Sequence, residues 1–300
     1  MITKLDDMFE KLKSLPSKRL VAAYANDSHS IGAINKAVEM GLVEATLVGD
    51  KNIIQEVCDN ENINILKFRI VHEPDEIKAA FKAVELINNG EGAILMKGLV
   101  STDKYMRAIL NKEHGLLPPK AILSHVTVME NTNYHKLLIF GDVAIIPQPE
   151  LKEKIAITKY LIHTAQALGI EKPKVAVLAA TEQVSPKMQA CVDAAIIAKM
   201  ADRGQIKGAL VDGPLALDVA IDKESAEIKK LKGAVAGDAD CLVFPNIESG
   251  NVFYKANTKL AKSELGAMLV GAKVPAVLSS RGDSIKTKLY SIALAALSAR

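Results

Sequence analysis

The sequence predicts an α/β protein of two domains, each a largely parallel sheet covered on both faces by helices. Three observations carry this expectation. Short apolar runs alternate with longer amphipathic stretches along nearly the whole chain, as repeated β-α-β units do. A length of 300 residues is ample for one large core, and ordinary domain sizes suggest two. The alternation breaks once, from Ala121 to Ile146, where strand-like segments follow one another without a helix between them.

Leu5, Met8, Phe9 and Leu12 repeat at helical spacing, so the chain opens on a helix. Candidate strands follow at Arg19–Ala25, Ala45–Gly49, Ile65–Val71 and Ala93–Lys97, each a short aliphatic run bounded by polar or turn-forming residues. A helical pattern over Asp75–Asn88 separates the last two. Ala121–Val128 and Leu137–Phe140 read as strands of a hairpin and mark the start of a second domain. After Pro147-Gln148-Pro149 the alternation resumes with helix Leu151–Leu168, strand Val175–Ala179, helix Pro186–Ala201 and strands Gly208–Val211 and Cys241–Phe244. Strand Ala276–Ser279 and helix Ile285–Ala299 close the chain. With no internal repeat and no low-complexity linker, the domains are expected to share a broad interface.

Hydrophobic residues make up 49% of the chain, enough to bury a core unaided, while aromatic residues make up 4% and Trp is absent. Small aliphatic side chains must fill the interior, and little is left for stacking nucleic-acid bases. The 38 basic and 35 acidic residues are dispersed to a net charge of +3, with no run dense enough for a nucleic-acid or membrane surface. Cys58, Cys191 and Cys241 lie far apart among apolar neighbours, which reads as inert core thiols in a reducing compartment. Acids stand at the N-terminus where a signal peptide would be apolar, and runs such as Val175–Ala180 are too short to cross a bilayer. A soluble, cytoplasmic protein is expected.

Three loops share one design, in which a strand ends and a Ser/Gly-rich turn opens a helix. They are Lys97-Gly-Leu-Val-Ser101-Thr102-Asp103, Ser249-Gly250-Asn251 and Ser279-Ser280-Arg281-Gly282-Asp283-Ser284. Glycine admits close backbone approach, and the first N–H groups of a helix are unpaired and lie at the positive end of its dipole. Such turns suit anions, and they fall at the carboxyl ends of strands, where open α/β sheets place ligands. The same Ser and Asp residues also make ordinary helix caps. Cations stand at useful spacing: Arg107 one turn into the first helix, Lys255 four residues after Asn251, and Arg281 inside the third turn. A guanidinium there can clamp a phosphate or carbonyl oxygen in bidentate fashion.

Several signatures are missing. Gly90-Glu-Gly92 lacks the third glycine of a dinucleotide fingerprint, and no G-x-x-x-x-G-K-[ST] occurs. His29, His72, His114, His125, His135 and His163 show no metal spacing, and His125 and His135, which flank the hairpin, have no assigned role. Asp212 and Asp218 read as a strand–helix turn in preference to a magnesium pair. No metal or resident cofactor is expected.

Four segments stand in order along the chain: Lys97-Gly-Leu-Val-Ser-Thr-Asp, Gly208-Ala-Leu-Val-Asp-Gly-Pro-Leu-Ala-Leu-Asp, Leu242-Val-Phe-Pro-Asn-Ile-Glu-Ser-Gly-Asn-Val-Phe-Tyr-Lys and Leu278-Ser-Ser-Arg-Gly-Asp-Ser. Together they resemble the phosphate acetyl/butyryltransferase family over essentially the whole length. Glu182-Gln-Val-Ser-Pro-Lys-Met188 and the ending Lys288–Leu297 are similar to its butyryl branch more than to its acetyl branch.

The resemblance implies two α/β/α domains with an active-site cleft between them, similar to the isocitrate/isopropylmalate dehydrogenase-like fold. Residues 1–118 with 270–300 would form the first domain and residues 119–269 the second. It implies an acyltransferase exchanging coenzyme A and inorganic phosphate on a short-chain acyl group. Butyryl-CoA and phosphate would give butyryl phosphate and coenzyme A, reversibly, in a homodimer or larger homo-oligomer. The coenzyme A thioester is substrate, and neither metal nor nicotinamide takes part. Carried onto this chain, Ser280, Arg281 and Gly282 form the element that holds the acyl carbonyl and phosphate. Ser101, Thr102 and Arg107 form a phosphate loop with its following Arg, and Gly250, Asn251, Tyr254 and Lys255 line the cleft. A family Asp base lies six positions after the motif Arg, where this chain has Thr287. Asp283 is the nearest carboxylate, as base or as helix cap. The rival readings are preference for acetyl-CoA, transfer from acyl carrier protein, a phosphate-linked dehydrogenase, and a non-catalytic module binding coenzyme A or acyl phosphate.

Overall fold

Helix α1 (Asp7–Lys13) precedes a run of strand–helix units: β1 (Lys18–Ala23), α2 (Ser28–Glu39), β2 (Val43–Gly49), α3 (Lys51–Asn60), β3 (Phe68–His72), α4 (Glu76–Asn88), β4 (Ile94–Lys97) and α5 (Thr102–Ile109). Asp27, Asp50, Asp75 and Ser101 cap the four helices that follow strands, each accepting a first-turn N–H on its side chain. The chain then makes a hairpin of β5 (Ser124–Glu130) and β6 (Leu138–Gly141), paired antiparallel. Next come α6 (Leu151–Ala167), β7 (Lys174–Leu178), α7 (Gln189–Asp202), β8 (Leu210–Leu215), α8 (Leu217–Ile221), α9 (Lys223–Ile228), β9 (Cys241–Val243) and α10 (Ile247–Lys259). It ends with β10 (Glu264–Val270), β11 (Ala276–Val277) and α11 (Ile285–Ser298).

The computed structural model describes residues 1–278 and 283–299. Residues 6–123 with 265–300 form one compact unit, and 124–264 with 1–5 form the other. In the first unit the strand order is β3-β2-β1-β4-β11-β10, and in the second it is β5-β6-β9-β7-β8. Pairing is parallel from β3 through β11, and antiparallel where β11 meets β10 and β5 meets β6. Leu20 to Ala23 of β1 and Ile94 to Met96 of β4 have no exposed surface, so both faces of these strands are covered. The expected α/β class, with helices flanking mainly parallel strands, is what the chain adopts.

Some elements depart from the sequence reading. β10 falls outside the strands the sequence predicts: its third residue is Gly266, where a Cβ would sit 2.7 Å from the backbone of Tyr290 in α11. The strand keeps a glycine so that the helix can approach, and its β signal is weak for that reason. The strand expected from Ile65 begins at Phe68, because Asn64 caps a 3-10 turn over Ile65–Lys67 and accepts the Leu66 N–H at 3.0 Å. Met1–Leu5 group with residues 124–264, since Ile2 N–H donates to Leu168 O (2.9 Å) and Leu5 N–H to Glu130 Oε2 (2.8 Å). From Asp6 onward the chain is tied to α11, where the Tyr290 hydroxyl donates to Asp6 Oδ1 at 2.6 Å and its ring stacks on Phe9.

The hairpin tip explains His135. Its Nε2 lies 2.8 Å from Asp238 Oδ1, beside Lys136 Nζ at 2.8 Å and the ammonium of Lys174. Lys136 also reaches Asp240 Oδ1 at 2.8 Å, and the Tyr134 hydroxyl donates to Ala239 O at 2.6 Å. Burial opposes ionisation of Asp238, but bonds from Lys136, Lys174 and His135 outweigh it and hold the carboxyl well below the usual range. All three cysteines are buried and free, and burial pushes the thiols of Cys58 and Cys241 up. Among the described residues no helix is long and apolar enough to cross a membrane.

Candidate active site

β4 ends on Lys97, and the chain turns through Gly98-Leu-Val into α5. Gly98 runs against the backbone of Tyr24, where a Cβ would lie 2.5 Å from the carbonyl oxygen. Only glycine fits that approach. Gly98 and Leu99 donate their N–H groups to Ala23 O (2.9 Å) and Tyr24 O (2.8 Å). The Lys97 side chain, 6% exposed, folds back along the loop, and its Nζ donates to Gly98 O at 3.2 Å and Val100 O at 2.8 Å.

Ser101 caps α5, its Oγ accepting the Lys104 N–H at 3.4 Å, while its own N–H donates to Glu76 Oε1 at 2.7 Å. Glu76 is the first residue of α4, and its other oxygen takes the ammonium of Lys104. The Lys104 bond first, and the Ser101 N–H second, hold the Glu76 carboxyl below its ordinary range. The N–H groups of Thr102 and Asp103 have no partner among the described residues. Arg107 Nη2 pairs with Asp103 Oδ2 at 3.1 Å, the two side chains being 74% and 68% exposed. A surface pair of this kind holds its guanidinium only weakly.

The second expected turn does not open a helix. Asn246 is the cap of α10: its Oδ1 accepts the Ser249 N–H at 3.0 Å, and Ile247 N–H goes to Pro147 O at 2.9 Å. Ser249, Gly250 and Asn251 therefore lie inside α10. The physical reason is that Asn246, as good a cap as Ser and three residues earlier, sits in extended backbone after Pro245 and takes both the Ser249 N–H and the Ser249 hydroxyl. Gly250 answers to packing, because a Cβ there would stand 2.6 Å from Asp142 O. Asn251 Nδ2 donates to Val143 O at 3.1 Å. Farther along the helix Lys255 Nζ lies 5.0 Å from the centroid of the Tyr254 ring, a cation–π contact.

Both contacts of Gly250 and Asn251 depend on the loop after β6, and a buried carboxylate pins it. Asp142 is 2% exposed and accepts the Ser124 hydroxyl (2.8 Å) and the N–H groups of His125 (3.1 Å), Ala144 (2.7 Å) and Ile145 (2.9 Å). His125 is itself buried, with Nδ1 3.5 Å from Thr127 Oγ1.

Ser280, Arg281 and Gly282 lie outside the described residues. Asp283 follows them, half-buried, just before α11. The cap of α11 is Ser284, whose Oγ accepts the Thr287 N–H at 3.1 Å, so the neighbour of Asp283 fills that role. Ser101, Thr102, Arg107 and Asp283 belong to one unit; Gly250, Asn251, Tyr254 and Lys255 belong to the other. Asp218 shares Lys229 with Glu182, at 3.1 and 2.9 Å from the ammonium, and Asp212 accepts the Gly213 N–H at 2.8 Å. Among the described residues no three His, Cys, Asp or Glu side chains converge as a metal site would require.

Sequence reasoning passed over three residues that shape these loops. Glu76 stands 25 residues before Ser101 and looks like any first-turn acid. Lys97 carried a legible signal, a cation ending the apolar run Ile94-Leu-Met, and Asp142 carried a similar one between Phe140-Gly and Val143-Ala-Ile-Ile.

Residues 68–296 match the model of the family described as phosphate acetyl/butaryl transferase. Phosphate butyryltransferase of Clostridium acetobutylicum is 47% identical over 297 residues, covering 99% of this chain and 98% of that one. The crystal structure of a branched-chain phosphotransacylase from Enterococcus faecalis superposes with a TM-score of 0.81 at 33% identity, over 94% of this chain and 98% of that one. A 4-hydroxythreonine-4-phosphate dehydrogenase from Klebsiella pneumoniae, 11% identical with a TM-score of 0.57 over 93% and 98% of the two chains, shares the fold alone. With a family match over most of its length and a relative of such identity from end to end, the chain belongs to the phosphate acetyl/butyryltransferase family.

Proposed function

We propose that the protein exchanges coenzyme A and inorganic phosphate on a short-chain acyl group, reversibly and with butyryl-CoA preferred. The observation that carries this is 47% identity to a phosphate butyryltransferase across 99% of the chain. In this reading Ser101, Thr102 and Arg107 hold phosphate, Gly250, Asn251, Tyr254 and Lys255 line the substrate site, and Ser280, Arg281 and Gly282 hold the acyl carbonyl. A phosphate oxygen attacks the thioester carbon, negative charge gathers on the carbonyl oxygen, and the C–S bond breaks. Thiolate leaves and takes the proton that phosphate gives up. Donors placed in advance at the oxyanion contribute about 3–4 kcal/mol each. Holding two anionic reactants in line supplies much of the rest. Asp283 carries the proton between phosphate and thiolate. The enzyme works in the cytoplasm as a homodimer or larger homo-oligomer and uses no metal, nicotinamide, nucleic acid or membrane.

Purified protein is expected to release free thiol from butyryl-CoA only when phosphate is added, faster than from acetyl-CoA or a branched-chain acyl-CoA, and equally well in excess EDTA. A preference for acetyl-CoA of about tenfold, roughly what small changes in an apolar pocket give, would replace the butyryl reading with the acetyl one. No phosphate-dependent release from any short thioester would overturn the function and favour a binding module. Asp283→Asn is expected to slow both directions about a hundredfold, the lower range for a lost proton-transfer group, with melting unchanged because Ser284 supplies the cap. Undiminished turnover would remove Asp283 from the chemistry and leave the proton transfer to Glu182, to Glu248 or to phosphate itself.

A further inference from the structure

We propose that Glu76 is a positioning residue for phosphate: by accepting the Ser101 N–H and holding Lys104 it fixes the start of α5, so that the open N–H groups of Thr102 and Asp103 keep one orientation. The proposal rests on the reading of the Ser101 loop as the phosphate site. Its starting point is a conflict of charge. A carboxylate beside an anion site repels the ligand, so electrostatics alone argues against an acid here. What Glu76 does instead is geometric. Its backbone is anchored by the cap of α4, where Asp75 Oδ1 accepts the N–H groups of Ile77 (3.0 Å) and Lys78 (2.8 Å). From that anchor one oxygen reaches Ser101 N–H at 2.7 Å, a short, charge-assisted bond, and the other takes Lys104 one turn along the same helix. Lys104 also offsets the negative charge. On the other side of the loop Lys97 ties down the carbonyls of Gly98 and Val100. The loop is thus gripped through its carbonyls by a buried amine and through the Ser101 N–H by a carboxylate, and the N–H groups of Thr102 and Asp103, next along the chain, stay open at the start of the helix.

This arrangement separates positioning from charge. Glu76→Gln keeps an oxygen for the Ser101 N–H, removes the negative charge and releases Lys104. Glu76→Ala removes the acceptor as well. The measurement is phosphate-dependent release of coenzyme A, with the best short-chain thioester held saturating, alongside a thermal melt of each variant. Glu76→Ala is expected to raise the KM for phosphate about tenfold, the lower end for loss of one bond to a charged group because the bond acts on the loop and not on phosphate itself, with kcat within about twofold. Glu76→Gln keeps the Ser101 bond, and losing its hold on Lys104 is offset by losing the charge that repels the anion, so its phosphate KM is expected within about twofold of the wild type. If both variants lower the KM, Glu76 acts by charge alone and the proposal fails. If neither moves it, Glu76 is only structural and the proposal fails. Glu76→Asp, one methylene too short to span both partners, is expected to follow Ala and replaces it should Ala not fold. Ser101→Ala and Arg107→Ala are measured in parallel. If neither raises the KM for phosphate, the loop is not the phosphate site and both readings fall; if they do and Glu76→Ala does not, only the role of Glu76 falls.

Discussion

Lys154→Met is expected to lose about 3–5 kcal/mol of stability, while the double variant Lys154→Met/Asp193→Leu returns to near the wild-type value. Lys154 Nζ lies 2.7 Å from Asp193 Oδ2 and joins α6 to α7, with side chains only 6% and 3% exposed. The other oxygen of Asp193 accepts Gln189 Nε2 at 2.8 Å. On the same two helices Ile157 and Leu161 of α6 and Ala194 and Ile197 of α7 are buried. Met keeps most of the apolar length of Lys but leaves a carboxylate in this setting with one neutral donor in place of a cation. The loss comes from that stranded charge, since taking both charges out of water already offsets most of their attraction.

For a chain of this size the single variant should melt lower by on the order of 10 °C. The double variant tests the cause, because Met and Leu fill the same space without any charge to desolvate. Urea unfolding of the four proteins of the cycle gives the coupling directly. A single variant within about 1 kcal/mol of the wild type, where ordinary substitutions fall, would show that water or a rearranged neighbour already serves Asp193.

The parts of the fold that were legible in the sequence are those where one local signal suffices. β1 and β4 are aliphatic on both faces and buried on both faces, so their composition reports their place directly. The hairpin was legible as two strand signals with no helix between them. β10 was not, because Gly266 serves the approach of α11, a relation between residues far apart in sequence. The loops divide in the same way. Ser101 was legible as a cap, since capping is local. Ser249-Gly250-Asn251 was misplaced by one helical turn because Asn246 competes for the same cap, and because Gly250 reports contact with Asp142 and not a turn. Glu76 could not be read at all: its carboxylate meets Ser101 only after two strand–helix connections have brought α4 and α5 together.

Arg281→Lys is expected to lower kcat about 10²–10³-fold, the range for losing an oxyanion donor, while the KM for phosphate and for the thioester stays within about threefold. Lys keeps the positive charge, so the long-range attraction of two anionic substrates persists and ground-state binding changes little. What it loses is the planar fork, which can place two N–H groups on one oxygen or bridge the carbonyl and phosphate oxygens together. Charge builds on the carbonyl oxygen only as the C–O bond to phosphate forms, so the missing donor is felt in kcat. The reverse direction, followed as thioester formation from acyl phosphate and coenzyme A, must slow by a similar factor because both directions cross one transition state. Ser101→Ala supplies the contrast, since a loss there should appear mainly in the KM for phosphate. Arg281→Ala assayed with added guanidinium separates chemistry from structure: a rate that climbs with guanidinium concentration assigns the effect to the missing donor. A kcat for Arg281→Lys within about twofold of the wild type would remove Arg281 from the chemical step and leave the oxyanion to backbone N–H groups.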